Sequence, residues 1–133
     1  ICQEYLWKLL LDGTSPVEFS SLGRWWGTDP STRRQEEIDI MGEQDNKTAL
    51  FGECKWRQEP VDVGVLETLV NRSRLFHYSK VELYLFAKIG FTSGCMEQAE
   101  QMGNVHLVTY QDILNALQPE KNNAKKEGTL WRP

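Results

Sequence analysis

The chain has 133 residues and a formal net charge of −4. That length suits one domain with a proper core, and the mildly acidic balance argues against a broadly basic nucleic-acid coat while leaving room for a local patch. No apolar run approaches the roughly 20 residues a membrane helix requires, and Ile1-Cys2-Gln3-Glu4 reads as the middle of a helix, not as a signal peptide.

Taken in chain order, Cys2 to Leu11 places apolar residues at helical spacing, and Asp12-Gly13 ends the helix. Thr14-Ser15-Pro16 is a connector, and Val17 to Trp26 reads as the first strand. Asp29 to Arg34 is a polar loop. Two short acidic strands follow, Glu36–Met41 and Thr48–Trp56, joined by the turn-forming stretch Glu43-Gln44-Asp45-Asn46-Lys47. Pro60 to Arg74 looks helical, with Val61, Val65, Leu66, Leu69 and Val70 on one side. Val81 to Ala87 is a buried strand. Thr92-Ser93 caps a short helix through Met102, closed by Gly103. Val105 to Val108 is another apolar strand, and Thr109 caps a last helix, Gln111 to Leu117. Beyond Gln118-Pro119 the chain turns polar and lysine-rich, which reads as a frayed tail over 119–133, after a domain over 1–118. The first three strands can form a meander. The later ones, joined through helices, imply parallel pairing by right-handed crossovers. The expected fold is α/β, a mixed central sheet flanked by helices.

The acidic strands carry the chemistry. Side chains two apart on a strand share a face, so Glu37 and Asp39 point one way, as do Glu53 and Lys55. If Asp39 lies opposite Glu53, the hairpin loop has an ordinary length of about five residues, and Glu37 falls opposite Lys55. Two carboxylates and an ammonium then meet on one face, with Ile38, Ile40, Leu50 and Cys54 on the other. Carboxylates bind hard cations such as Mg²⁺, so Asp39 and Glu53 are candidate metal ligands, with Glu37 a weaker third. A bland alternative is a Glu37–Lys55 cross-strand salt bridge on a solvated face.

Asp39 followed by Glu53-Cys54-Lys55 resembles the acidic-residue and Glu-X-Lys pattern of the PD-(D/E)XK nuclease superfamily. Gly23-Arg24-Trp25-Trp26-Gly27, Glu37-Ile38-Asp39-Ile40 and Phe51-Gly52-Glu53-Cys54-Lys55-Trp56-Arg57 narrow the resemblance to the DUF234 domain. That domain sits at the C-terminus of archaeal-type P-loop ATPases. The resemblance implies a restriction-endonuclease-like α-β-β-β-α-β core, here with an added helix-strand-helix. It implies a Mg²⁺- or Mn²⁺-dependent endonuclease, acting on DNA more than RNA, with Asp39, Glu53 and Lys55 as catalytic residues. It also implies an ATPase domain in the same polypeptide as a partner, and leaves a homo-oligomer open. A chain without an initiator Met fits a fragment of such a fusion. No phosphate-binding Gly-x-x-x-x-Gly-Lys motif occurs, so a nucleotide site would lie outside this chain. Many relatives add a Glu from the first helix, where Glu4 is the sole candidate. A catalytically silent interaction or regulatory module on the same fold is the competing expectation.

Among the basic and aromatic residues near these motifs, Arg57 is the first candidate for contact with phosphate, followed by Arg24. Trp25 is a candidate for stacking on an unpaired base, although one of the two adjacent tryptophans is expected to fill core. The three cysteines, Cys2, Cys54 and Cys95, form no Cys-x-x-Cys motif, which argues against structural zinc. Their odd number and the expected burial of Cys54 favour a reducing, cytoplasmic setting. His77 and His106 lack metal-ligand spacing.

Overall fold

The structure, a computed structural model, describes residues 1–118. The expected tail over 119–133 lies outside the described residues. The element order is α1 (Cys2–Leu11), β1 (Gly23–Thr28), β2 (Gln35–Glu43), β3 (Thr48–Lys55), α2 (Val63–Ser73), β4 (Lys80–Ala87), α3 (Ser93–Met102), β5 (Val105–Thr109) and α4 (Tyr110–Leu117). This is the expected α-β-β-β-α-β order followed by helix-strand-helix. The five strands form one mixed sheet in the order β1-β2-β3-β4-β5. The pairs β1/β2 and β2/β3 are antiparallel, and β3/β4 and β4/β5 are parallel.

Helices cover both faces. On one, Leu66 and Leu69 of α2 and Cys95 and Ala99 of α3 pack on Ala49, Phe51, Leu83 and Leu85. On the other, Cys2 and Leu6 of α1 and Ile113 of α4 pack on Leu50, Tyr84 and Phe86. A strand enclosed on both faces must be apolar nearly throughout. That is why β3, in the middle of the sheet, runs Thr48-Ala49-Leu50-Phe51-Gly52-Glu53 without an exposed residue. Glu53 is the charged exception.

The helix ends follow their local chemistry. Thr92 accepts a hydrogen bond from the Cys95 N–H, and Gly103 ends α3 in the left-handed conformation. Thr109 and Asp112 form a reciprocal capping box at the start of α4. Thr109→Ala is expected to cost about 1 kcal/mol. Urea unfolding should show a lower midpoint with an unchanged slope, and Thr109→Ser should restore it.

Two expectations need correction. The first strand does not begin at Val17: β1 starts at Gly23. Val17 and Phe19 are buried, but within the core shared by α1 and α4 and not in a ladder. Their segment crosses the sheet face at Gly42, where an added Cβ would lie 2.7 Å from Leu22 and 3.1 Å from Phe19. Apolar alternation therefore reports burial here without strand pairing.

The second correction concerns β2. Trp25 lies opposite Ile38, but Gly23 lies opposite Met41, so Asp39 and Ile40 together face Arg24. This extra residue is a bulge, which re-aims the side chains on either side of it. Ile38 consequently joins the core under α2 and α3, whereas Ile40 joins the core under α1 and α4. The expected common face of Ile38, Ile40, Leu50 and Cys54 therefore holds for the last three, and Ile38 lies on the opposite side.

Candidate functional site

The site forms where the β2/β3 ladder gives out. The last ladder pair is Ile40 with Gly52. Continuing that register by one residue sets Asp39 against Glu53, as the hairpin length implied. Here a side chain replaces the ladder: Asp39 Oδ2 accepts a hydrogen bond from the Cys54 N–H at 3.0 Å. The bulge and this bond together fix the Asp39 carboxylate beside β3. On its far side β3 is held in register by β4, with Glu53, Cys54 and Lys55 paired with Leu85, Phe86 and Ala87.

Cations surround the two carboxylates. Arg24, across from the bulge, places Nη2 3.6 Å from Asp39 Oδ1. Lys55 Nζ lies 3.7 Å from Glu53 Oε1, and Arg72 Nη1 lies 3.5 Å from the same oxygen. Arg72 also bonds Glu36 through Nε at 2.9 Å. Glu53 itself is 5% exposed. Its Oε2 is buried with no hydrogen-bond partner among the described residues. The neighbouring Asp39 carboxylate offers no donor while it is ionised. Burial raises the Glu53 carboxyl to about 7; the Asp39 charge and the hydrogen bond that protonated Glu53 donates to Asp39 add to the rise, and Lys55 and Arg72 oppose it, so Oε2 lacks a partner only in the ionised form.

Asp39, Glu53, Lys55, Arg24, Glu37 and Trp56 line one open cavity of about 670 Å³. Glu37 is exposed there and forms no ion pair with Lys55 among the described residues. Glu4 reaches the same cavity from α1, but its side chain is 73% exposed and pairs with the N-terminal ammonium. Arg57 is exposed and lines a separate, smaller cavity with Glu53, Lys55 and Arg72. Trp25 packs edge-on against Phe76, 5.0 Å between ring centroids, and adjoins the core under α2 and α3. Trp26 is the exposed member of the pair, at 63%. His106 lies 2.7 Å from Glu82 and stacks on Tyr84, away from this cavity.

Three participants were not foreseen from the sequence. Arg72 and Glu36 join the site from α2 and from the far end of β2, and only the fold brings them to Glu53. Arg72 does follow Val65 and Leu69 at helical spacing, a signal that it sits on the sheet-facing side. The third is the Cys2 thiol, hydrogen-bonded to that of Cys54. The bond lowers the Cys2 pKa and, with burial, raises that of Cys54.

The donor set suits a hard cation. A buried carboxylate oxygen lacking a partner beside a second carboxylate is relieved by a divalent ion. Among the described residues no cluster of three or more His, Cys, Asp or Glu side chains is placed to hold a metal. Mg²⁺ commonly takes one or two carboxylates and keeps several waters, so Asp39 and Glu53 fit that ion without a third side chain.

The DUF234 family model, described as archaea bacterial proteins of unknown function, matches residues 1–72. The match ends at Arg72 and contains Asp39, Glu53 and Lys55. No curated protein matches the chain. Two solved structures show partial similarity. One is a protein of unknown function, AF1548, 18% identical, with 86% of this chain and 64% of that chain covered and a TM-score of 0.49. The other is the DNA modification-dependent restriction endonuclease AspBHI, 17% identical, with 91% and 31% covered and a TM-score of 0.46. The chain thus spans less than two thirds of the length of either. No helix among the described residues is long and apolar enough to cross a membrane.

Proposed function

Because this chain belongs to the DUF234 family, and the matched segment carries Asp39, Glu53 and Lys55, we propose that it is a metal-dependent nuclease domain that hydrolyses DNA phosphodiester bonds. One observation supports this above the others. Glu53 is buried with an unpartnered oxygen, beside a second carboxylate and 3.7 Å from a lysine. A structural ion pair does not need that second carboxylate.

Asp39 and Glu53 would hold Mg²⁺ or Mn²⁺, with the Cys54 carbonyl as a further oxygen donor. Such an ion polarises the phosphate and lowers the pKa of bound water. Lys55 stabilises negative charge as it develops on the phosphate, or orients the attacking water. Arg24 and Arg57 bind the flanking phosphates. Arg24 must then leave Asp39, which its exposed, 3.6 Å contact permits at little cost. Arg72 with Glu36 braces Glu53 from behind. In the full polypeptide, a P-loop ATPase domain would couple nucleotide hydrolysis to this chemistry.

The test is cleavage of plasmid and linear DNA by the purified protein with Mg²⁺ or Mn²⁺, arrested by EDTA. Metal should also raise the melting temperature by binding the native state, and Asp39→Asn should remove most of that rise. Equal metal stabilisation in wild type and variant, with no cleavage, would sink the proposal.

A second reading has its own support. Arg24 and Arg72 already neutralise the two carboxylates, so the fold can stand without a metal as a silent regulatory module of the ATPase. It expects neither cleavage nor a metal-dependent melt.

A further inference from the structure

Trp56 directly follows the candidate catalytic lysine. It lines the cavity that holds Asp39, Glu53 and Lys55, and yet is 44% exposed. Single exposed aromatics are ordinary on protein surfaces. This one is braced: Tyr110, at the start of α4 and itself 41% exposed, meets it edge-on with ring centroids 5.9 Å apart at 81°. Two elements distant in sequence, the end of β3 and the start of α4, thus bring two large apolar rings together at the rim of a charged cavity. Trp26 is more exposed but does not line this cavity.

The geometry points to Trp56, with Tyr110 as its brace, as a stacking platform for one unpaired base next to the phosphate held over Asp39, Glu53 and Lys55. Trp56 lines the same cavity as Asp39, Glu53 and Lys55, so a base on the indole and a phosphate over the carboxylates would share one cavity. Arg24 and Lys55 line the same cavity and would meet a strand's phosphates there, alongside the carboxylates of Glu4, Glu37, Asp39 and Glu53. Bases within a continuous duplex keep their faces stacked on one another and cannot offer one to the indole. The substrate is therefore single-stranded, or locally unpaired beside the cleaved bond. This inference rests on the nuclease reading.

The experiment measures binding of a fluorescent single-stranded oligothymidine and of a duplex of equal length, without divalent ions so that nothing is cut. Wild type should prefer the single strand. Trp56→Ala should weaken that binding by about tenfold to a hundredfold, and Trp56→Phe should restore most of it. The loss should persist as salt rises, because stacking releases no counterions, whereas phosphate contacts weaken. Tyr110→Ala should cause a smaller loss. If Trp56→Ala fails to fold, Trp56→Leu keeps apolar bulk without the indole and should show the same loss. Equal affinity of wild type for both forms, or a Trp56→Ala or Trp56→Leu protein that folds and binds the single strand like wild type, overturns the platform. Absence of metal-dependent cleavage with Trp56-dependent binding intact overturns the nuclease reading and leaves the platform standing. Cleavage that Trp56→Ala leaves unchanged in KM does the reverse.

Discussion

Asp39→Ala is expected to abolish metal-dependent cleavage, and Lys55→Ala to lower turnover by about a hundredfold to a thousandfold while leaving metal binding in place. The difference follows from what each group touches. Asp39 would share the ion with Glu53 and also holds the Cys54 N–H, so its loss removes a ligand and loosens β3. Lys55 would hold no metal. Its ammonium, 3.7 Å from Glu53 and 37% exposed, is free to reach the phosphate. A donor that acts as charge develops contributes mainly in the transition state. Its removal should depress kcat far more than affinity. Arg57→Ala should show the opposite pattern, with weaker binding and a shallower salt dependence and turnover little changed. Single-turnover cleavage alongside equilibrium binding separates the two. Cleavage indifferent to both Asp39→Ala and Lys55→Ala would come from another site or a contaminant.

Glu53→Gln should make the metal-free protein more stable at pH 8 and bring no gain near pH 4. The folded state raises this carboxyl from 4.5 to about 7, chiefly through burial. Between those values the native state holds a proton that the unfolded chain releases. Native stability therefore falls as pH climbs through that window. A rise of that size corresponds to about 3 kcal/mol. Glutamine carries no charge to desolvate, so the variant should lose the slope. Urea unfolding in EDTA at pH 4, 6 and 8 measures it. Adding Mg²⁺ at pH 8 should return much of the lost stability to wild type and none to Glu53→Gln. A metal-free wild type whose stability stays flat or rises from pH 5 to 8 would mean that Glu53 ionises without penalty, and the argument from its burial would fail.

The elements that carry their own punctuation were legible in the sequence. Asp12-Gly13, Thr92, Gly103 and Thr109 act through bonds to near neighbours, so they read from a short window. The pairing of Asp39 with the Glu53 strand was legible because hairpin loop length restricts register. Three features were not. Val17 and Phe19 look like strand because burial imposes alternation whether or not a ladder forms. The bulge at Asp39 and Ile40 arises from how β1 meets β2, and no residue within β2 announces it. Arg72 reaches Glu36 across 36 positions and Glu53 across 19, contacts that exist only once α2 lies on the sheet. The chemistry-bearing residue types were visible in the sequence. The supports that hold them belong to tertiary structure.

Every strand of the sheet lies beside its successor in the chain. During synthesis from the N-terminus, each emerging strand meets a partner already made, and the sheet can be extended along one edge without rearranging what precedes it. The helices do not share this convenience. The first described helix, α1, packs with the last, α4, on the same face. Until α4 arrives, Cys2 and Leu6 lack Ile113 as a neighbour and Trp56 lacks Tyr110. The rim of the candidate site is thus finished only when the far end of the described chain docks against its beginning, and a nascent chain would carry the acidic residues well before it carried a complete cleft.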